Sequence, residues 1–352
     1  MNTKTELPEW LDDYIFSKLG ASYHRKRNDA EYNKDSDEPG VQQYLGTYFP
    51  RSYAEVRCIA ENLFQNKGYN SLLTDLSDNV INILDWGCGT GGDIIGLLSV
   101  LNEKLPDAWI NVYAFDANET ALWYMCGVVN AFARTNGSII HVWPEKLDVS
   151  SESDFLQMAQ SVGDNRFDYI LCCKACGELK SKHVVEQPYF SAASTFSALL
   201  KDNGIMLILD VASQPDGCEE YLPKEMNYEL NSFVSSNAEF CTLIPRPCGE
   251  HPECKGHCYM LKQFSVSHSG CPIWEDWSNV CYRIICRNAF RKQIAVSCQA
   301  QNKMYVIHQD SHFGRRCCPL FKSGVTIQNP LWNNMKGALI LLDNKMTSAN
   351  RR

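Results

Sequence analysis

The sequence predicts an α/β fold, a mostly parallel sheet with helices on both faces, preceded by short helices and followed by a cysteine-rich stretch and further strands. Three observations carry this. From Val80 to Ser213, apolar runs of strand length alternate with amphipathic runs of helix length, the pattern of strand–helix–strand units that cover both faces of a parallel sheet. The first of those strands, "INILD", opens directly into the glycine-rich turn "WGCGTGG". At 352 residues, 45% hydrophobic and 21% charged, the chain also has the material for one large core and a smaller attached unit.

In order along the chain, residues 1–38 are polar, and the charged run "YHRKRNDAEYNKDSDEPG" follows a short amphipathic opening helix, so this part reads as an N-terminal arm. Residues 39–78 form a helical segment. Tyr44, Tyr48, Val56, Ile59, Ala60 and Leu63 recur at helical spacing around Pro50, which predicts two helices with a break between them. Residues 79–217 form the ligand-binding domain. Its strands are "VINILDWGCG", "WINVYAFDAN", "SIIHVWPEKL", "FDYILCCKAC" and "GIMLILDVAS", and its helices run through "DIIGLLSVLNEKL", "TALWYMCGVVNAFAR" and "YFSAASTFSALLK". Residues 218–310 hold a cysteine-rich region and three short strand-like runs, "VCYRIICR", "QIAVSCQA" and "KMYVIHQ"; residues 311–352 are a basic tail.

Composition narrows the function classes. The opening "MNTKTELPEWLDDYIFSKLG" has no apolar signal region, and no run of about 18 apolar residues exists to span a membrane. The expectation is a cytoplasmic protein whose 17 cysteines stay reduced, where clustered thiols point to metal ligation or catalysis. The net charge of -8 is unevenly spread: from Arg283 to Arg352 there are twelve Lys and Arg against Asp310 and Asp343, a balance of +10. That asymmetry predicts a C-terminal surface able to meet phosphates, or else a solvated tail offsetting an acidic body.

The glycine turn places Gly87, Gly89 and Gly91 at alternate positions beyond Asp85, with Cys88 between the first two. Glycines there allow positive φ and let backbone approach a ligand at the carboxyl edge of the first strand. The next strand ends in Asp116, whose carboxylate can accept hydrogen bonds from both hydroxyls of a ribose. A nicotinamide-binding chain would more often read G-x-G-x-x-G, with a pyrophosphate on the helix N-terminus. Asp148 follows the third strand, as a ligand contact or as the cap of a helix beginning "SSESDF". After the fourth strand come Cys172, Cys173 and Cys176, candidate nucleophiles or buried small hydrophobes, and Glu178, the one carboxylate of that stretch and a candidate for the cleft lip.

In "LIPRPCGEHPECKGHC", Cys248, Cys254 and Cys258 are spaced C-x5-C-x3-C within a Pro- and Gly-rich loop. Thiolate metal sites usually take four ligands, and Cys271, Cys281, Cys286 and Cys298 can each supply the fourth. Zinc sites favour C-x2-4-C pairs, so the five-residue gap fits the commonest zinc pattern poorly. His251 and His257 are further candidates within the loop.

"ILDWGCGTGG" resembles the first motif of the class I S-adenosylmethionine-dependent methyltransferases, and "FDAN" resembles their second-strand acid. The resemblance implies a Rossmann-like fold with Asp85, Gly87, Cys88, Gly89 and Gly91 around the methionine and ribose of the cofactor, Asp116 on the ribose and Asp148 near the adenine. Over most of residues 41–310 the order of motifs resembles the small-ribosomal-subunit assembly family of mitochondrial methyltransferase-like protein seventeen and its fungal and bacterial relatives. "YLGTYFPRSYAEVRCIAENL", "DYILCCKACGEL", "LILDVASQPDG", "PRPCGEHPECKGHCYMLKQFSVS" and "NVCYRIICRNAFRKQIAVSCQAQNKMYVIHQ" carry it. It implies a 4Fe-4S cluster, with zinc the alternative, on Cys248, Cys254, Cys258 and Cys298, and small-subunit ribosomal RNA or a pre-ribosomal particle as partner. Gly249, Glu250 and Tyr259 depart from the family's pattern. The sequence lacks the Asn-Pro-Pro-aromatic signature of many amino-methyltransferases, which keeps two rivals open: a non-catalytic RNA-binding assembly factor, and a methyltransferase for a small molecule or a protein.

Overall fold

The computed structural model describes residues 3–24, 34–65, 68–70, 79–214, 221–244 and 259–294, together with the backbone of three later strands. The chain opens with strand β1 (Lys4–Glu6) and helix α1 (Glu9–Asp12), which widens into a π-helical stretch at Asp13–Lys18. Leu7, Leu11 and Ile15 are buried, and Trp10 meets Phe132 edge-on at 6.0 Å between ring centres. Residues 3–24 are thus built into the body rather than forming an arm: the four-residue spacing of three aliphatics gives the polar segment one apolar face. Residues 25–33 lie outside the described residues.

Two helices follow around Pro50, as the spacing predicts. In α2 (Glu38–Thr47) the Asp37 side chain caps the N-terminus by accepting from Gly40 N at 3.0 Å. In α3 (Phe49–Phe64) Pro50 sits in the first turn, where its missing N–H costs nothing.

The centre is a parallel sheet of β2 (Val80–Trp86), β3 (Trp109–Asp116), β4 (Ile139–Lys146), β5 (Phe167–Cys173) and β6 (Leu200–Val211), in the order β4-β3-β2-β5-β6. Alternate strand residues face opposite layers. Ile81 and Ile83 of β2 join the core under α3, α4 (Gly92–Lys104) and α5 (Glu119–Asn136). Leu84 and Trp86 join the core under α6 (Glu152–Ser161), α7 (Ala175–Ser181), α8 (Pro188–Phe196) and α9 (Leu222–Ser236). A mostly parallel sheet covered on both faces is the class I Rossmann-like fold the sequence predicts. Helix α3 lies directly on α4. A Cβ at Gly92 would stand 2.6 Å from the Phe49 carbonyl oxygen, and one at Gly96 2.6 Å from that of Tyr53. Glycines four apart make a bare stripe on which the second backbone rests.

Beyond β6 the sheet turns antiparallel. Strand β9 (Cys271–Arg287) pairs with β6, and both β7 (Phe240–Ile244) and β8 (Tyr259–His268) pair antiparallel with the far edge of β9. Ile244 is registered on Ile284 and Met260 on Tyr282. The two strands are therefore successive stretches of one line along β9. The outer edge of β8 takes β1, with Lys4 beside Ser265, and a late strand at Ala338–Leu341, both parallel. Of the three expected strand runs after the cysteine-rich loop, "VCYRIICR" ends β9 and Met304–His308 is a strand. "QIAVSCQA" differs: its first residue, Gln293, closes helix α10 (Asn288–Gln293), and its end lies outside the described residues. Among the described residues no helix is long and apolar enough to cross a membrane.

Candidate functional site

The chain leaves β2 through a tight turn in which Gly87 has φ 73° and Gly89 φ 51°, left-handed backbone that side chains rarely adopt. The turn is pinned to the end of β3. Gly87 N and Cys88 N donate to the Phe115 carbonyl at 2.8 and 3.1 Å. The Asp116 carboxylate accepts from Gly89 N and Asn118 N, each at 2.8 Å. Burial pushes the Asp116 carboxyl up, while those backbone donors hold it down. Above the turn opens a cleft of about 570 Å³ that communicates with solvent. Gly87, Gly89 and Asp116 form its floor; Leu147 and Val149, beyond β4, line one end, and Lys174 and Glu178, beyond β5, the other.

Beneath the floor, Asp85 is fully buried, and its carboxyl faces that of Asp93. Burial first, and then the neighbouring Asp93, push its carboxyl well above the usual range; burial pushes Asp93 up to about 6. The turn beside Asp85 is too close to its neighbours for a Cβ, a cradle of bare backbone that a ligand can approach closely. At Gly87 that Cβ would meet Ala175 at 2.5 Å, and at Gly89 the Tyr44 ring at 3.2 Å.

The far end is held by the helical segment that precedes the sheet. Lys174 has a left-handed φ of 71°; its ammonium pairs with buried Glu55 at 2.7 Å and donates to Ser52 at 3.0 Å. Tyr44 reaches in from α2, its ring 4.9 Å from that of Tyr48, and burial holds its hydroxyl well above the ordinary range. Strain at Lys174 persists because α3 and β5 over-determine it.

The predicted residues divide by position. Gly87, Gly89 and Asp116 line the cleft, as does Glu178. Asp85, Cys88 and Gly91 lie beneath it; Cys88 is buried, and a Cβ on Gly91 would meet Met125 at 2.6 Å. Asp148 does not cap the following helix. Ser151 does, in a capping box with Asp154, while Asp148 pairs with Lys34 at 2.9 Å where Lys34 enters the cleft wall. Cys172, Cys173 and Cys176 are buried, with the first and last sulfurs 3.5 Å apart. Burial holds the thiols of Cys173 and Cys176 well above the usual thiol range, and Cys173 is the one of the three that lines the cleft. The structure adds Tyr44 and Lys174 to the cleft wall; the sequence signal for Lys174 is its place directly after the fourth strand.

Cys248, Cys254, Cys258 and Cys298 lie outside the described residues. Among the described residues no group of three or more His, Cys, Asp or Glu side chains forms a metal site. Cys281 donates to the Asp210 carbonyl at 3.5 Å, and the Cys286 sulfur lies 3.9 Å from that of Cys241.

Comparison with known proteins gives a family match over residues 59–249, to a methyltransferase domain. No curated protein sequence matches the chain. Among solved structures, magnesium protoporphyrin IX methyltransferase from Synechocystis aligns at 13% identity and TM-score 0.35, covering 73% of this chain and 99% of that one. A putative rRNA methylase from Clostridium thermocellum aligns at 12% identity and TM-score 0.34, covering 63% and 96%. The plantazolicin methyltransferase aligns at 13% identity and TM-score 0.36, covering 78% and 93%.

Proposed function

The chain belongs to the methyltransferase-domain family, and from that premise we propose that it is an S-adenosylmethionine-dependent methyltransferase acting on small-subunit ribosomal RNA during assembly, with a 4Fe-4S cluster bracing its RNA-facing side. The observation that carries the cofactor is the turn at Gly87 and Gly89, tied to Asp116 by a 2.8 Å hydrogen bond above the buried carboxyl of Asp85. Asp116 holds the ribose, the glycine backbone admits the methionine chain, and Leu147 and Val149 offer apolar surface to the adenine. The cofactor, when bound, supplies an electrophilic methyl group.

RNA as acceptor is supported by the +10 balance of residues 283–352 and by the motif order shared with the assembly family. The cluster is supported by the cysteine series and by how the sheet frames it. Ile244 and Met260, on either side of that series, meet β9 two residues apart, and Cys271, Cys281 and Cys286 are buried in strand β9. The resemblance to the assembly family implies Cys298 as the fourth ligand beside Cys248, Cys254 and Cys258. We assign residues 218–310 to this region and 311–352 to a basic tail. The ten cysteines among the described residues are all free, which suits a reducing cytoplasm.

One observation favours a binding-only assembly factor. The residue after β5 is a lysine committed to Glu55, where many amino-methyltransferases present an acceptor-holding amide. Labelled S-adenosylmethionine, anaerobic protein and free small subunits decide between them. Label in the RNA is expected; bound cofactor with no transferred label would favour the assembly factor, and label in small molecules alone would remove RNA as acceptor.

A further inference from the structure

We propose that Glu178 is the general base of this cleft: it faces the reacting sulfonium end of the bound cofactor, gives up its proton when that positive charge arrives, and takes the proton of an uncharged O–H or N–H acceptor. The proposal rests on the cofactor reading above and deepens it.

The topology sets where each end of the cofactor lies. With Asp116 on the ribose and the Leu147–Val149 wall beyond β4, the opposite end of the cleft, beyond β5, is left for the sulfonium. Glu178 stands there, one turn into α7. Its surroundings are acidic. Asp116 of β3 lies across the floor. Asp210 of β6 accepts from Gly177 N at 2.6 Å, one residue before Glu178, and Tyr44 of α2 stands over the turn. The flanking cations are Lys174 and Lys182, and the first is committed to Glu55. Burial, then Asp116, then Asp210, push the Glu178 carboxyl up to about 8. In the free protein it is therefore mostly protonated at neutral pH. A sulfonium beside it favours the carboxylate, so the base is generated by the cofactor it serves.

The acceptor follows from the same charges. Asp116, Asp210 and an ionised Glu178 repel a carboxylate substrate, whereas a hydroxyl or an N–H can enter neutral. Its lone pair forms the new bond to the methyl carbon and the carbon–sulfur pair stays on sulfur, leaving a neutral thioether. The acceptor's proton passes to Glu178, now the acid.

The test needs no acceptor. S-Adenosylmethionine and S-adenosylhomocysteine share ribose, adenine, amine and carboxylate and differ in the sulfonium charge, so calorimetry in buffers of different ionisation heat isolates its effect. The free carboxyl titrates near 8 and the bound one lower. S-Adenosylmethionine should accordingly release up to about one proton more than S-adenosylhomocysteine below about pH 8, with affinity rising up to roughly tenfold per pH unit and levelling above. Glu178→Gln should erase that difference while both ligands still bind. Equal proton release by both ligands in the unaltered protein, or a difference that survives Glu178→Gln, would overturn the assignment. Failure of either ligand to bind the unaltered protein would instead remove the cofactor reading, and the base with it.

Discussion

At Gly89 two demands meet in one residue, a φ of 51° and a tyrosine ring 3.2 Å from where a Cβ would stand. Valine is poor at both, since a β-branched side chain disfavours left-handed backbone by roughly 1–2 kcal/mol before any contact is made. Gly89→Val should weaken S-adenosylmethionine binding at least about tenfold in calorimetry, and Asp116→Ala, which strips the turn of its acceptor, should do the same. Circular dichroism should show both variants folded, and unchanged affinity in both would remove the site. These residues are legible in the sequence because a strand, a glycine turn and an acid at the next strand end are local signals. Tyr44 and Lys174 were not, because they reach the cleft through packing: Tyr44 by the seating of α2 over the turn, Lys174 by its pairing with Glu55 of α3.

Among elements, alternating strands and helices were readable because each apolar run has the period of its structure. The burial of residues 7–15 was not, since three aliphatics among charged neighbours read as a polar segment until the surface they cover is known. The contact of α3 on α4 was also hidden, although the glycines that allow it stand in plain view. Gly96→Leu drives a side chain into the Tyr53 carbonyl and should cost about 1–3 kcal/mol, read as a fall in Tm, with no cofactor contact touched directly. The divided line of β7 and β8 yields a different expectation. If Cys248, Cys254, Cys258 and Cys298 hold a cluster, anaerobically purified protein should be brown, with about four iron and four sulfide per chain. Replacing Cys248, Cys254, Cys258 or Cys298 by Ser should bleach it, while Cys172→Ser should not. A colourless protein with one zinc would transfer the site to zinc, and colour surviving Cys298→Ser would move the fourth ligand elsewhere.

Across the whole molecule, the acidic body and the basic C-terminal stretch separate charge along the chain. In α10, Arg291 and Lys292 carry part of that positive charge on a described helix. Reversing both to Glu should weaken RNA binding and reduce the slope of log affinity against log salt by about one to two, as fewer counterions are released. An equal slope would count against this surface. The same molecule-wide view applies to how the sheet closes. Its first strand, β1, has its partner in β8, and among the described residues β8 joins the parallel strands through β9, which follows it in the chain. During synthesis at roughly 5–20 residues per second, the N-terminus therefore waits on the order of tens of seconds for the strand it will pair with. Until then the edge of β6 that β9 will cover stays open, and translation speed up to Arg287 sets how long that edge invites a wrong partner.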